Sequence, residues 1–167
     1  MALSVIDNFL ADEEFNLVKE TFLSNSCAWF FSSKISNHNE QDDNYEREGH
    51  LFSHIIYINH RPTSPFYEKL MPFFLNKINV KSLIRIKVNL YPYFGKYAEH
   101  EFHRDQEFSH SGAIFYVNSN NGHTILEDGT KIESVGNRIV FFDTNIRHKS
   151  TTCTDQRQRI TINFNYF

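Results

Sequence analysis

The most constraining feature of this sequence is a pair of long stretches in which alternate residues are apolar. Residues Leu83 to Tyr91 read Leu-Ile-Arg-Ile-Lys-Val-Asn-Leu-Tyr, and Arg157 to Phe167 read Arg-Gln-Arg-Ile-Thr-Ile-Asn-Phe-Asn-Tyr-Phe. Successive side chains of an extended chain point to opposite faces, so this period specifies strands with one apolar face. In the first stretch Ile84, Ile86, Val88 and Leu90 share that face, and Arg85, Lys87, Asn89 and Tyr91 share the other. In the second, Ile160, Ile162, Phe164 and Tyr166 oppose Arg157, Arg159, Thr161, Asn163 and Asn165. A polar face inside the fold is already suggested.

Further runs lie at Leu51–Ile58, Gly112–Asn118, His123–Leu126 and Arg138–Asp143, and roughly seven or eight short strands are expected in all. The turn signal Ser119-Asn120-Asn121-Gly122 predicts that the two runs beside it form a hairpin. Two helices are expected. One covers Asp12 to Asn25, capped by Asp12 or Asp7, with Phe15, Leu17, Val18, Phe22 and Leu23 as its apolar stripe. The other runs from Ser64 to Ile78, with Pro65 in its first turn and a kink or break at Pro72. Few helices followed by many short strands predict a mainly β protein, an antiparallel sandwich or barrel with the helices on one outer face.

A chain of 167 residues is expected to form one domain with its own core. Cys27 and Cys153 are its only cysteines, which fits a reducing compartment and excludes a cysteine-built zinc site. With no basic leader and no long apolar run, a soluble cytoplasmic protein is expected, without a membrane partner. The net charge of −3 argues against a nucleic-acid partner held through phosphates. Residues 1–60 carry a balance of −7 and residues 61–167 one of +4. Much of the acidity lies in Asn37 to His50, through Glu40, Asp42, Asp43, Glu46 and Glu48. That segment reads as a mobile loop, either a solvated connector or a substrate lid that would favour a basic peptide.

Chemistry concentrates at His103-Arg104-Asp105. In an extended chain the imidazole and the carboxylate point the same way and can reach one metal ion. His148 is the expected third ligand. Two histidines and a carboxylate on one face of an octahedron leave adjacent positions open, as in non-haem Fe(II) oxygenases. Arg159 lies on the polar face of the last strand, and a buried guanidinium needs an anion, such as the distal carboxylate of 2-oxoglutarate. Arg157 has the same parity and is its rival, and Asp105 or Asp143 could instead pair with Arg159. His100 is excluded as a ligand of the same kind because Phe102 stands two residues on. His54 reads as a hydrogen-bonded residue of a half-buried strand, and His38, His50, His60, His110 and His123 carry no signal.

At these residues the sequence resembles the Fe(II)- and 2-oxoglutarate-dependent dioxygenases, specifically the prolyl-4-hydroxylase-like branch of bacteria and phages. The resemblance begins at Val5-Ile6-Asp7-Asn8-Phe9-Leu10. It continues through His103-Arg104-Asp105, Phe115-Tyr116-Val117-Asn118, Gly122-His123-Thr124, the segment Gly136 to Asp143, His148, and Arg159 to Phe164. It implies a double-stranded β-helix (jelly roll) with its core at about residues 80–167, helical support in 12–25 and 64–78, and one domain over the whole chain. It also implies Fe(II) at His103, Asp105 and His148, and 2-oxoglutarate at Arg159, Tyr116, Tyr91 and Thr161, with Tyr93 as an alternative to Tyr91. O2 is the co-reactant, ascorbate a stimulant, and a prolyl residue of a peptide or protein the first substrate class. The alternatives are a free amino acid, a small metabolite or a nucleic-acid base as substrate, or a non-catalytic jelly-roll binding or virion-associated module.

Overall fold

The two alternating stretches lie side by side. In the computed structural model, which describes residues 3–33 and 50–167, they form β5 (Leu83–Pro92) and β11 (Gln158–Tyr166), paired antiparallel. Their register sets Arg159 opposite Tyr91, Thr161 opposite Asn89, Asn163 opposite Lys87 and Asn165 opposite Arg85. Like therefore faces like, and each face of the pair is uniformly apolar or uniformly polar.

The other elements are β1 (Ser4–Ile6), α1 (Asp12–Leu23), β2 (Phe30–Ser32), β3 (Leu51–Ile58), β4 (Arg61–Pro62), α2 (Phe66–Leu75), β6 (Ser111–Tyr116), β7 (Asn120–Leu126), β8 (Lys131–Ser134), β9 (Arg138–Asp143) and β10 (His148–Ser150). One antiparallel sheet has the order β1-β9-β6-β11-β5-β3-β2, with β4 on β3, and a smaller one has the order β10-β7-β8. Together they make the expected double-stranded β-helix.

The helices cover the apolar face of the large sheet, as expected. Val18 and Phe22 of α1 and Leu70, Met71 and Phe74 of α2 share a core with Ile86, Val88, Phe115, Ile160, Ile162 and Phe164. Phe74 stands with its ring 4.9 Å from Phe115 and 5.1 Å from Phe164. Between the sheets a smaller cluster of Ile114, Tyr116, Leu126, Ile132, Val140 and Phe142 fills one end. The polar faces of β5 and β11 take up the rest of that layer.

Four expectations are corrected. The runs on either side of Ser119–Gly122 form no hairpin, because β6 pairs β9 and β11 in one sheet while β7 pairs β8 and β10 in the other. Both edges of β6 are already taken, and Asn118 holds the departing chain to β11 by accepting from the Ile160 N–H (3.0 Å) and donating to the Gln158 carbonyl (2.9 Å). Neither Asp7 nor Asp12 caps α1. Ala11 occupies the cap, Glu14 accepts its N–H at 3.0 Å, and Asp7 pairs with Arg138 instead. Helix α2 runs through Pro72 without a break. The bond forfeited there belongs to the carbonyl of Glu68, an exposed residue that water can satisfy. Both helices also end sooner than expected, at Leu23 rather than Asn25 and at Leu75 rather than Ile78. The expected lid or connector lies, except for His50, outside the described residues. Among those described, no helix is long and apolar enough to cross a membrane.

Candidate active site

Three strands, β5, β10 and β11, and one irregular segment bring the chemistry together. The segment from Glu99 to Asp105 runs beside β10, and His103 and His148 each donate a backbone N–H to the other's carbonyl at 3.0 Å. This bridge sets their rings 4.6 Å apart. Asp105, two residues on, turns its carboxylate to the same place, so that one ligand atom from each of His103, Asp105 and His148 lies within 4.8 Å of the others. The grouping expected from the spacing is therefore present.

Charge in this cluster suits a divalent metal. Burial holds His148 down to about 4 against the pull of Asp105, and burial likewise lowers His103, so both rings are neutral at pH 7. A neutral imidazole is the form that ligates. The Nδ1 of His103 faces the Glu101 carbonyl at 3.3 Å, leaving its Nε2 lone pair free, and the buried Nδ1 of His148 has no hydrogen-bond partner. Burial opposes ionisation of Asp105, but His148, Arg85 and the Asn165 amide outweigh it and hold the carboxyl well below its usual range. Arg85 donates to one oxygen of Asp105 and Asn165 to the other, each at 2.9 Å. Asn165 also accepts from Arg85 Nε (3.1 Å) and donates to His110 Nε2 (3.0 Å). The carboxylate is thus fixed before any ligand arrives.

A cavity of about 490 Å³ opens beside the cluster, floored by Arg85, Lys87, Asn89, Tyr91, Arg159, Thr161 and Asn163 and bounded at one side by Phe31 to Ser33. Arg159 is 1% exposed, and among the described residues no carboxylate pairs with it. Its Nε donates to Ser134 Oγ at 2.9 Å and its Nη2 to Thr124 Oγ1 at 3.1 Å, while the guanidinium lies over the rings of Tyr91 (5.2 Å) and Tyr116 (5.7 Å). Gly122 makes this possible, since a Cβ there would stand 2.7 Å from Arg159 Cδ and 2.9 Å from the Thr152 carbonyl. A buried cation left open towards a cavity is a site for an anion.

The alternatives left open by the sequence separate here. Tyr91 lines the cavity, whereas Tyr93 is 52% exposed. Arg157 precedes β11 and is exposed. Neither Asp105 nor Asp143 pairs with Arg159. Thr161 lines the cavity and donates to Asn163 at 3.2 Å. Tyr116 stands behind the wall, donating its hydroxyl to Thr124 at 2.8 Å. Burial keeps both phenols protonated. His54 is a hydrogen-bonded strand residue, between the Ala28 carbonyl and Ser64 Oγ, each at 2.7 Å. His100 stacks on Tyr91 and bonds Ser150 outside the metal group. Sequence reading missed the clasp of Arg85, Asn165 and His110. Strand parity placed the first two on the inner face, but nothing in the sequence marked His110.

No family profile and no curated protein sequence matches the chain. Several solved structures do match it in shape. A 2OG-Fe(II) oxygenase family oxidoreductase from Burkholderia pseudomallei superposes with a TM-score of 0.69 at 10% identity, covering 98% of this chain and 84% of that one. A prolyl hydroxylase from Trichoplax adhaerens, in complex with a hypoxia inducible factor oxygen degradation domain peptide fragment, gives 0.63 at 17% identity, covering 99% and 83%. A prolyl-4-hydroxylase from Pseudomonas putida gives 0.58 at 15% identity, covering 98% and 91%. This chain has their fold. At such identities the likeness is one of architecture, and the side chains must carry the chemical argument.

Proposed function

We propose that this protein is an Fe(II)- and 2-oxoglutarate-dependent dioxygenase that hydroxylates a C–H bond, with a prolyl residue of a peptide or protein as its first substrate class. The observation that carries the reading is Arg159, a buried guanidinium without a carboxylate partner among the described residues, in the same cavity as the His103, Asp105 and His148 cluster. The donor set fits the group: two neutral imidazoles and a carboxylate suit a divalent iron and leave adjacent coordination positions for other ligands. When bound, the metal and 2-oxoglutarate supply the chemistry, in which decarboxylation to succinate is coupled to insertion of one oxygen atom of O2 into the substrate.

The chain's own residues would bind, orient and enclose. His103, Asp105 and His148 would hold the iron, and Arg85 with Asn165 would keep the carboxylate of Asp105 aimed at it. Arg159 would take the distal carboxylate of 2-oxoglutarate, with Tyr91 and Thr161 beside it and Tyr116 fixing Thr124. The protonated phenol of Tyr91 is a donor there. The prolyl class is supported by the two prolyl hydroxylases similar in fold, one of them holding a peptide.

The test is reconstitution. The protein is stripped of adventitious metal, since zinc and nickel bind such sites more tightly than iron, then loaded anaerobically with Fe(II) and 2-oxoglutarate. After O2 is admitted with a library of proline-containing peptides, succinate formation and a one-oxygen mass gain on proline are expected. Succinate without any modified peptide would keep the oxygenase and move the substrate to another class. Absence of 2-oxoglutarate binding would end the reading. His148→Ala is expected to remove both metal binding and turnover.

A further inference from the structure

The proposed reading uses Arg159 and the metal cluster but leaves one part of the cavity floor without a task. Of the charged side chains among the described residues that line the cavity, Arg85, Lys87, Arg104 and Arg159 are cationic and Asp105 alone is anionic. Arg85 is paired to Asp105 at 2.9 Å, and Arg104 donates to the Asn145 carbonyl at the rim. Lys87 has no hydrogen bond and no ion pair among the described residues. It is half-buried, and burial together with the neighbouring Arg85 pulls its ammonium below the usual range against the opposing charge of Asp105, which Arg85 already engages. Lysine heads ordinarily reach water or a carboxylate, so one held inside a cavity beside a second cation calls for an anion.

Its surroundings are built in the same sense. Asn163, directly across the ladder, has its carbonyl engaged by Thr161, and its amide N–H groups have no acceptor among the described residues. Asn89, the next inward-facing residue of β5, is buried, and its Oδ1 has no donor among the described residues. Lys87 and Arg159 are separated by four residues along the ladder, about 13 Å of extended backbone, so they serve different ends of the cavity.

We propose that Lys87, with Asn163 and Asn89, forms a second anion site that binds a carboxylate of the substrate next to an N–H donor, so that the enzyme selects an acidic amino-acid unit close to the reacting C–H bond. This rests on the oxygenase reading for its functional meaning. It is the opposite of the preference for a basic peptide expected from the acidic segment 37–50, and it rests on the surplus of cations among the described residues of the cavity. The carboxylate can come from an Asp or Glu of a peptide or from a free acidic amino acid. The two share the chemistry of carboxylate plus N–H.

The test uses the full chain loaded with Mn(II), with and without 2-oxoglutarate, and reads binding by calorimetry. The probes are an acetylated pentapeptide with proline at its centre and aspartate beside it, the same peptide with asparagine, and free L-glutamate. The aspartate peptide or L-glutamate is expected to bind, whichever is the natural source. The aspartate peptide, where it binds, is expected to exceed its asparagine isostere about tenfold, the low end for a charge-assisted bond. Lys87→Met should erase that difference, or the binding of L-glutamate, and Lys87→Arg should keep most of it. The melting temperature of each variant shows that it is folded. Equal affinity for acid and amide in the unaltered protein, or no binding of either acidic probe, overturns the proposal. So does a Lys87→Met variant that loses 2-oxoglutarate affinity while keeping the acid preference, since Lys87 would then serve the cosubstrate. Failure of the oxygenase reading looks different: 2-oxoglutarate does not bind at all, and the comparison made without it still reports on Lys87.

Discussion

The two faces of the β5–β11 pair are made by the same strands and differ at every second residue. Outward, Ile86, Val88, Ile160, Ile162 and Phe164 are fully buried beneath the helices. Inward, Arg85, Lys87, Asn89, Arg159, Thr161 and Asn163 line a cavity, and Asn165 donates to Asp105, another of its lining residues. Burial of the first set drives folding, at about 25 cal/mol for each Å² of apolar surface removed from water. Burial of the second gains nothing of that kind, because buried polar groups at best recover the hydrogen bonds they had in water. One face explains why the chain folds, and the other explains what the folded chain is for.

Neighbouring positions can break this contrast most sharply. Phe164→Ala is expected to destabilise the protein by about 3–5 kcal/mol, whereas Asn163→Ala, one residue away and facing inward, should leave the urea midpoint nearly unchanged. If the two variants unfold alike, the faces do not divide the labour as described. Next in size, Arg159→Leu is expected to weaken 2-oxoglutarate binding by roughly 1.5–3 kcal/mol, read by calorimetry on the Mn(II)-loaded protein, without lowering the melting temperature of the ligand-free form. A loss of fold instead would place Arg159 on the structural side of the contrast.

The inner face should also make stability depend on pH. Burial lowers His148 to about 4 and His100 to about 3. Below about pH 6.5 the unfolded chain takes up protons that these folded-state rings refuse. Their contribution is therefore present above pH 6.5 and lost as the pH falls towards 4. For the metal-free protein the expected loss is roughly 2 kcal/mol between pH 6 and pH 5, about 1 for each histidine, measured by urea unfolding across that range. His100→Phe should flatten the slope by about half. Smallest of the four, Asn165→Leu removes one arm of the clasp on Asp105 and should weaken Mn(II) binding about tenfold, with little change in 2-oxoglutarate affinity once the metal is saturating.

The sequence made this contrast readable because side-chain parity in a strand needs no knowledge of the partner strand. Arg159, Thr161 and Tyr91 could be placed on the inner face from alternation alone, and His103 with Asp105 from a spacing of two. Pairing across distance was not readable in the same way. Ser119–Gly122 carries the residues of a hairpin turn, yet the chain there passes between sheets, because what decides the partners of β6 is the burial of both its edges by β9 and β11. The clasp on Asp105 joins residues 20 and 60 positions away in sequence. His110 reaches it from a loop. Such contacts depend on register across strands, which no local pattern encodes.

The bridge between His103 and His148 has a further consequence for how the molecule holds together over time. The wall of the cavity from 93 to 110 has no regular strand of its own and is tied to the rest by a few backbone bonds, among them those of His100 to Ser150 and of Thr152 to Ala98. An ion held by both histidines would close a covalent-like loop of 45 residues across that seam. A fixed cross-link of this span reduces the chain entropy of the open form by an amount worth about 4 kcal/mol. The ion would then act as a removable rivet, and protection of this wall from proteases and from hydrogen exchange would report whether the protein had been supplied with metal.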